Sequence, residues 1–130
     1  MLLLVAGLTA CTGAGTDDVR TIDVTMTDDL RYDPGRAARE RRGDRPLLIR
    51  NAGANVHEFF LGTAAEQVVF AQEMADGHGG GHADDAGVSV DPTETAEFSY
   101  TFDVPSDVLI GCHEPGHYDG GMVGRVNVES

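Results

Sequence analysis

The sequence contains no lysine and no tryptophan, only two cysteines, and no apolar stretch long enough to span a bilayer. Nine arginines stand against 22 carboxylates, which gives the 130-residue chain a formal net charge of −13. A chain this acidic is repelled by phosphate backbones and by bare anionic lipid, so we expect no nucleic-acid partner. Two cysteines are too few for the disulfide framework of a small secreted domain. A transmembrane helix needs about 18 or more consecutive apolar residues, so we expect none.

The first ten residues are mostly apolar, and we expect residues 1–10 to be a signal peptide. The run ends at Cys11 in the sequence LTAC, which resembles the bacterial lipobox. In lipobox proteins the cysteine is lipidated and becomes the mature N-terminus. The small polar residues that follow are typical of a flexible tether, so we expect a lipid-anchored tether over 11–19 and a folded domain over 20–130. The alternative is a buried N-terminal strand with an ordinary core cysteine.

Most of the remaining chain alternates apolar and polar residues with a period of two, which predicts half-buried strands. Glycine, proline, asparagine and aspartate separate these segments, as in an all-β antiparallel sandwich or barrel. The predicted strands are 22–27, 46–50, 57–61, 95–102, 108–112 and 122–128.

One helix is predicted near 64–75. Thr63 and Glu66 fit a capping box, in which the Thr hydroxyl and the Glu carboxylate satisfy N–H groups at the helix start. We expect the helix to end at about Ala75 and Gly77 to stop it.

Metal-ligating side chains concentrate between residues 112 and 122. Cys112 supplies a thiolate, His117 an imidazole and Met122 a thioether, and His57 lies far upstream at the start of a predicted strand. Two histidines, one cysteine and a more distant methionine form the trigonal set that suits copper in electron-transfer sites. Soft sulfur donors favour Cu(I) and imidazoles serve both oxidation states, so such a site changes charge with little ligand movement.

Each of these residues also has a simpler explanation when it is taken alone. His57 suits a hydrogen-bonded core or surface histidine, Cys112 a small buried hydrophobe, and Met122 a core residue in phase with neighbouring valines. Zinc is the chemical competitor, although structural zinc sites prefer more thiolates and do not use methionine. The combination of donors in one loop favours one copper ion per chain.

The segment 51–59, with the sequence NAGANVHEF, and the loop 112–122 resemble those of the cupredoxins. This family includes plastocyanin, azurin and their single-domain bacterial relatives. The resemblance covers residues 20–130. It implies a Greek-key β-barrel or sandwich of about seven to eight strands, with one short helix near 64–75.

The resemblance also implies a type 1 copper site. His57, Cys112 and His117 would be its equatorial ligands and Met122 its axial ligand, with His117 facing solvent where electrons enter. Multicopper oxidases also place a histidine after the ligand cysteine, as His113 does here. Because the sequence has no His-x-His pairs and no second domain, oxidase chemistry is not expected.

Better-known cupredoxins carry an asparagine after the first ligand histidine, where this chain has Glu58. A carboxylate cannot donate a hydrogen bond, but His113 can. We therefore expect a contact between Glu58 and His113 beside the metal. Its strength would depend on the protonation of His113, so the potential of the site should drift between about pH 5 and 8. The alternative is that both side chains point to solvent.

Met74, His78 and His82 recur every four residues around a glycine-rich turn. One interpretation is a second, weaker copper site that captures ions for the main one. The alternative is a solvated loop with two exposed imidazoles, since ordering a glycine-rich segment loses about 1–2 kcal/mol of backbone entropy per residue.

Together these features predict a monomeric, non-enzymatic blue copper protein that carries single electrons in the bacterial cell envelope. Its partners would be other redox proteins of the envelope, and a lipid on Cys11 would hold it at the outer side of the cytoplasmic membrane. The alternative function is an envelope copper chaperone or resistance protein that buffers or delivers the ion.

Overall fold

The computed structural model of the chain describes residues 19–77 and 86–130. The signal peptide, Cys11, most of the tether, His78 and His82 lie outside these ranges. Within them, no helix is long and apolar enough to cross a bilayer. The helix α1 spans Ala64–Ala75. The strands are β1 (Ile22–Thr27), β2 (Arg31–Asp33), β3 (Arg36–Arg41), β4 (Gly43–Asn51), β5 (His57–Gly62), β6 (Gly87–Val90), β7 (Thr95–Phe102), β8 (Ser106–Gly111) and β9 (Val123–Glu129).

The helix begins at the predicted capping box, which is confirmed. The Thr63 hydroxyl accepts a hydrogen bond from the Glu66 N–H at 3.3 Å, and the Glu66 carboxylate accepts one from the Thr63 N–H at 2.6 Å. Gly77 follows the helix with a φ of 76°. Glycine adopts this left-handed conformation without steric strain, which explains why the helix stops there.

Two sheets pack face to face around one core. The four-stranded sheet has the order β2-β1-β4-β7, and the five-stranded sheet has the order β3-β9-β8-β5-β6. This β-sandwich, which carries one short helix, confirms the predicted fold class. The chain forms nine strands in the described ranges, of which β2 and β6, at three and four residues, are too short to show an alternating pattern.

Two strand pairs differ from the antiparallel pairing that the spacing of the strands indicates. β1 pairs with β4 in parallel, and β3 pairs with β9 in parallel. The chain leaves the four-stranded sheet after β2, forms β3 in the other sheet, and then returns as β4. Parallel strands need such a crossover connection, and β4 therefore can pair in parallel with β1. The alternating pattern within a single strand does not reveal this pairing.

β5 is buried along its whole length because both of its faces are covered. Phe59 lies in the core between the sheets, whereas Phe60 stacks on Phe70 of α1 with 4.0 Å between ring centroids. The Gln67 side chain of α1 donates hydrogen bonds to the carbonyls of Phe60 in β5 and Leu109 in β8, at 3.1 Å each. The helix thereby ties together the two strands that position the candidate site.

Candidate metal centre

The predicted ligands meet at one end of the five-stranded sheet. β5 begins with His57, and β8 ends at Gly111, directly before Cys112. The two strands run antiparallel with Phe60 opposite Gly111. Neighbouring strands lie about 5 Å apart, so the start of β5 and the residues after β8 are held side by side.

Backbone hydrogen bonds fold the loop 112–122 into tight turns. The N–H of Cys112 donates to the carbonyl of Met122 at 3.3 Å, and the N–H of Met122 donates to the carbonyl of His117 at 3.0 Å. His117 in turn donates from its N–H to the carbonyl of Glu114 at 2.9 Å. The three loop residues with donor side chains are therefore linked to each other through their backbones.

The donor atoms of His57, Cys112 and His117 all lie within 4.8 Å of one another. The Sγ of Cys112 is 3.4 Å from the Nδ1 of His117, and the centroids of the two imidazole rings are 5.0 Å apart. His57 and Cys112 are fully buried, whereas His117 is partly exposed. Met122 is fully buried in the same core cluster as Cys112.

The ring of His57 has one occupied and one bare nitrogen. Its Nε2 lies 2.9 Å from a carboxylate oxygen of Asp28. Its Nδ1 is, among the described residues, the buried side-chain nitrogen or oxygen that lacks a hydrogen-bond partner. Buried polar atoms are normally paired, so a bare nitrogen beside a thiol and a second imidazole fits a metal-binding position.

The thiol of Cys112 is held in the interior, where the Glu58 N–H donates a hydrogen bond to its Sγ at 3.3 Å. Burial raises the pKa of this thiol, because the thiolate loses its hydration. A bound cation reverses this preference, since a coordinated thiol is deprotonated outright. With two imidazoles and a buried thioether nearby, the donor set fits copper better than zinc.

The structure brings Glu58 and His113 together through the backbone of His113. The His113 N–H donates to the Glu58 carboxylate at 3.1 Å, and the imidazole instead bonds the Gln67 side-chain oxygen through its Nε2 at 2.7 Å. Both residues are buried, so neither points to solvent. Because the contact uses the peptide N–H, the protonation of His113 does not govern it, and the expectation that it would is corrected.

Gln67 and Asp28 take part in the site although sequence reasoning overlooked them. Gln67 had a local signal, since it lies three residues before the apolar Phe70 on the helix face that packs inward. A Cβ on Gly111 would come within 2.3 Å of the Gln67 side-chain oxygen, which explains the glycine before the ligand cysteine. Asp28 had no local signal, because it reaches His57 across 29 residues.

Met74 lies near the end of α1 and lines a cavity of about 420 Å³ beside His113 and Tyr118. Its predicted partners His78 and His82 lie outside the described residues, so the second copper site stays a prediction.

The chain is similar to curated proteins named copper-resistant cuproprotein CopI. It is 36% identical over 109 residues to the copper-resistant cuproprotein CopI of Rubrivivax gelatinosus, a match that covers 84% of this chain and 66% of the relative. Over an alignment of 140 positions, gaps included, it is 29% identical to the CopI of Pseudomonas aeruginosa, and this match covers 85% of this chain and 76% of the relative. This chain therefore spans slightly less than two thirds of the length of the first relative. No protein-family model matches the chain.

Several solved structures share the fold. A dithionite-reduced auracyanin from Roseiflexus castenholzii superposes with a TM-score of 0.74 at 19% identity, covering 85% of this chain and 97% of the other. Auracyanin A from Chloroflexus aurantiacus, a "blue" copper protein, gives 0.69 at 22% identity, covering 85% and 98%. An azurin from Methylomonas sp. strain J gives 0.66 at 17% identity, covering 85% and 98%. The described part of the chain therefore has a cupredoxin-like fold, with a His-Cys-His cluster at one end of its five-stranded sheet.

Proposed function

We propose that the chain is a type 1 copper protein that carries single electrons in the bacterial cell envelope. The observation that carries this proposal is the convergence of His57, Cys112 and His117, whose donor atoms lie within 4.8 Å of one another. The bare and buried Nδ1 of His57 adds a donor whose lone pair has no other use among the described residues.

The Nδ1 of His57, the Sγ of Cys112 and the Nδ1 of His117 would hold the ion, with the thioether of Met122 as a weaker fourth donor. Copper supplies the one-electron change between Cu(I) and Cu(II). The chain holds the donors in place before the metal arrives and keeps water away through the burial of His57, Cys112 and Met122. Four protein ligands leave no open position for a substrate, so the proposed role is not enzymatic.

Electrons would enter and leave through His117, the partly exposed member of the cluster. Gly116 and Gly121 lie near it, and a Cβ on either glycine would meet no atom within 4 Å. Because neither position carries a side chain, a partner can approach His117 closely. The proposed partners are other redox proteins of the envelope, and the proposed state of the chain is a monomer with one copper ion.

The second candidate function is copper buffering or delivery in resistance. The similarity to proteins named copper-resistant cuproproteins favours it. A buffer must release copper to a competitor, whereas an electron carrier must keep copper through many redox cycles.

The test uses the purified chain loaded with Cu(II). A thiolate-to-copper charge-transfer band, fast electron self-exchange and slow loss of Cu(I) to a chelator are expected for the carrier. A colourless protein would contradict the type 1 site. A coloured protein with slow self-exchange and rapid loss of Cu(I) would favour the buffer instead.

The envelope location is proposed from the sequence before the described domain. We propose that residues 1–10 are removed, that Cys11 carries lipid, and that 11–19 tethers the domain over 20–130. Mass spectrometry of the mature chain from a bacterial membrane fraction should find a lipidated Cys11. A Cys11→Ala variant should lose the lipid, and an unmodified Cys11 in the wild type would contradict the anchor.

A further inference from the structure

The contact between Asp28 and His57 goes beyond the ligand set. Asp28 follows β1, which pairs in parallel with β4 so that Met26 lies opposite Asn51. This pairing places Asp28 beside the loop 52–56 that leads into β5. There its carboxylate oxygen lies 2.9 Å from the Nε2 of His57.

This contact determines which nitrogen of His57 carries the proton. A neutral imidazole has one N–H donor and one acceptor, whereas a carboxylate accepts only. The Nε2 must therefore be the donor toward Asp28, which leaves the Nδ1 of His57 as a bare lone pair. His57 lies in the cluster with Cys112 and His117, so this lone pair is the one that His57 can offer to a metal ion.

The carboxylate of Asp28 is itself held in place by the loop. The Ala54 N–H donates to one oxygen at 2.7 Å, and the Asn55 N–H donates to the other at 3.3 Å. Gly53 leaves the room that the carboxylate occupies, since a Cβ at this position would lie 2.1 Å from the Asp28 oxygen. These hydrogen bonds hold the pKa of Asp28 well below its usual range. The bond from the Ala54 N–H has the largest effect, and the bond from His57 adds to it.

His117 has no equivalent support. Within the described residues its ring has a hydrogen-bond contact with Cys112 and a ring contact with His57, and it has no hydrogen bond to a carboxylate. One ligand imidazole therefore bears an anionic partner and the other does not. A carboxylate bonded to the far nitrogen of a ligand histidine makes that histidine a stronger donor.

We propose that Asp28 is a positioning residue of the copper site, which fixes His57 with its Nδ1 toward the metal and stabilises Cu(II) relative to Cu(I) through its charge. This inference rests on the proposed function, because it assigns a task to a residue that does not itself touch the metal. The added negative charge favours the more highly charged Cu(II) ion, so it lowers the reduction potential.

The copper-loaded test compares four variants. Asp28→Asn keeps an oxygen for the His57 Nε2 proton but loses the charge, and we expect the ratio of Cu(II) to Cu(I) affinity to fall about tenfold. For a one-electron couple this equals a rise in potential of about 59 mV. Asp28→Ala and Gly53→Ala should weaken Cu(II) binding by about 10–100-fold, because both remove the carboxylate from His57. Asp29→Asn is the matched control, since it removes the same charge at an exposed neighbouring position.

Equal shifts in Asp28→Asn and Asp29→Asn would overturn the proposal, because they would show a general effect of charge. A Gly53→Ala variant with wild-type potential and affinity would also overturn it, since the displaced carboxylate would then have no effect on the metal.

A second measurement needs neither copper nor a variant. Nitrogen-15 NMR of the copper-free wild type should find the proton of His57 on Nε2, and a proton on Nδ1 would overturn the proposal even if every variant failed to fold. If the copper-loaded wild type lacks the charge-transfer band, the proposed function fails, while the NMR result still decides the role of Asp28 in orienting His57.

Discussion

β5 and the loop 112–122 contribute to the same ligand cluster in different ways. His57 of β5 is fully buried, belongs to a strand paired on both sides, and has its far nitrogen bonded to Asp28. His117 belongs to a loop of tight turns and is partly exposed. The strand fixes one ligand through long-range pairing, whereas the loop keeps another near solvent through local hydrogen bonds. This division suits the proposed electron carrier, in which the metal must stay in place while electrons cross the surface.

The largest expected effect follows from this difference in exposure. Replacing His117 by glycine opens a space near solvent that free imidazole can fill, whereas replacing His57 by glycine opens a space in the interior. We expect added imidazole to restore the copper charge-transfer band in His117→Gly and to leave His57→Gly colourless. Absorption titrations of the two variants check this, and equal rescue would show that the two ligands are equally accessible.

A second prediction concerns Gln67, which supports both parts of the site. Its side chain bonds the carbonyls of Phe60 and Leu109 and the imidazole of His113. Gln67→Ala removes all three hydrogen bonds, two of which are buried, so we expect the free energy of unfolding to fall by about 2–3 kcal/mol.

Gln72→Ala is the matched control for Gln67→Ala. Gln72 lies on the exposed side of α1, and its loss should change the free energy of unfolding by about 0.5 kcal/mol or less. Urea unfolding of the copper-free proteins measures both. If Gln67→Ala were no more destabilising than Gln72→Ala, the helix would not support the site.

The parts of the fold that were predicted have local causes. Residues that are close in sequence determine the alternation in β1, β7 and β9 and the capping box of α1. The spacing of Cys112, His117 and Met122 is local in the same sense. The parallel pairing of β1 with β4 is not local, because it depends on a crossover between sheets. Asp28 was missed for this reason, since only that pairing carries it to His57.

The role of His113 also depends on a residue that is distant in sequence. Its sequence position predicts a contact with Glu58, but the choice between its backbone N–H and its imidazole depends on Gln67, 46 residues away on another element. Residue type alone does not decide between two donors of one residue when a third residue competes for one of them.

The smallest expected effect is a pH dependence at Glu58. Burial raises the pKa of this carboxyl above its ordinary value of 4.5, so the folded chain keeps the proton to higher pH than the unfolded chain does. Stability is therefore lost as the pH rises from about 4.5 through the folded pKa. Glu58→Gln keeps an oxygen for the His113 N–H but has no proton to lose.

We therefore expect the free energy of unfolding of the copper-free wild type to fall relative to Glu58→Gln as the pH rises through this range. Urea unfolding at a series of pH values measures the difference. Glu97→Gln, at an exposed position of β7, is the matched control. Identical pH profiles for the two variants relative to wild type would contradict the expectation.

X-ray absorption at the copper edge reads the atoms around the bound metal in solution. For the chain loaded with one equivalent of copper, we predict an inner shell of one sulfur and two nitrogens, and a Cys112→Ser variant should lose that sulfur. An inner shell of nitrogen and oxygen alone in the wild type, or an unchanged sulfur in Cys112→Ser, would show that His57, Cys112 and His117 do not hold the metal together.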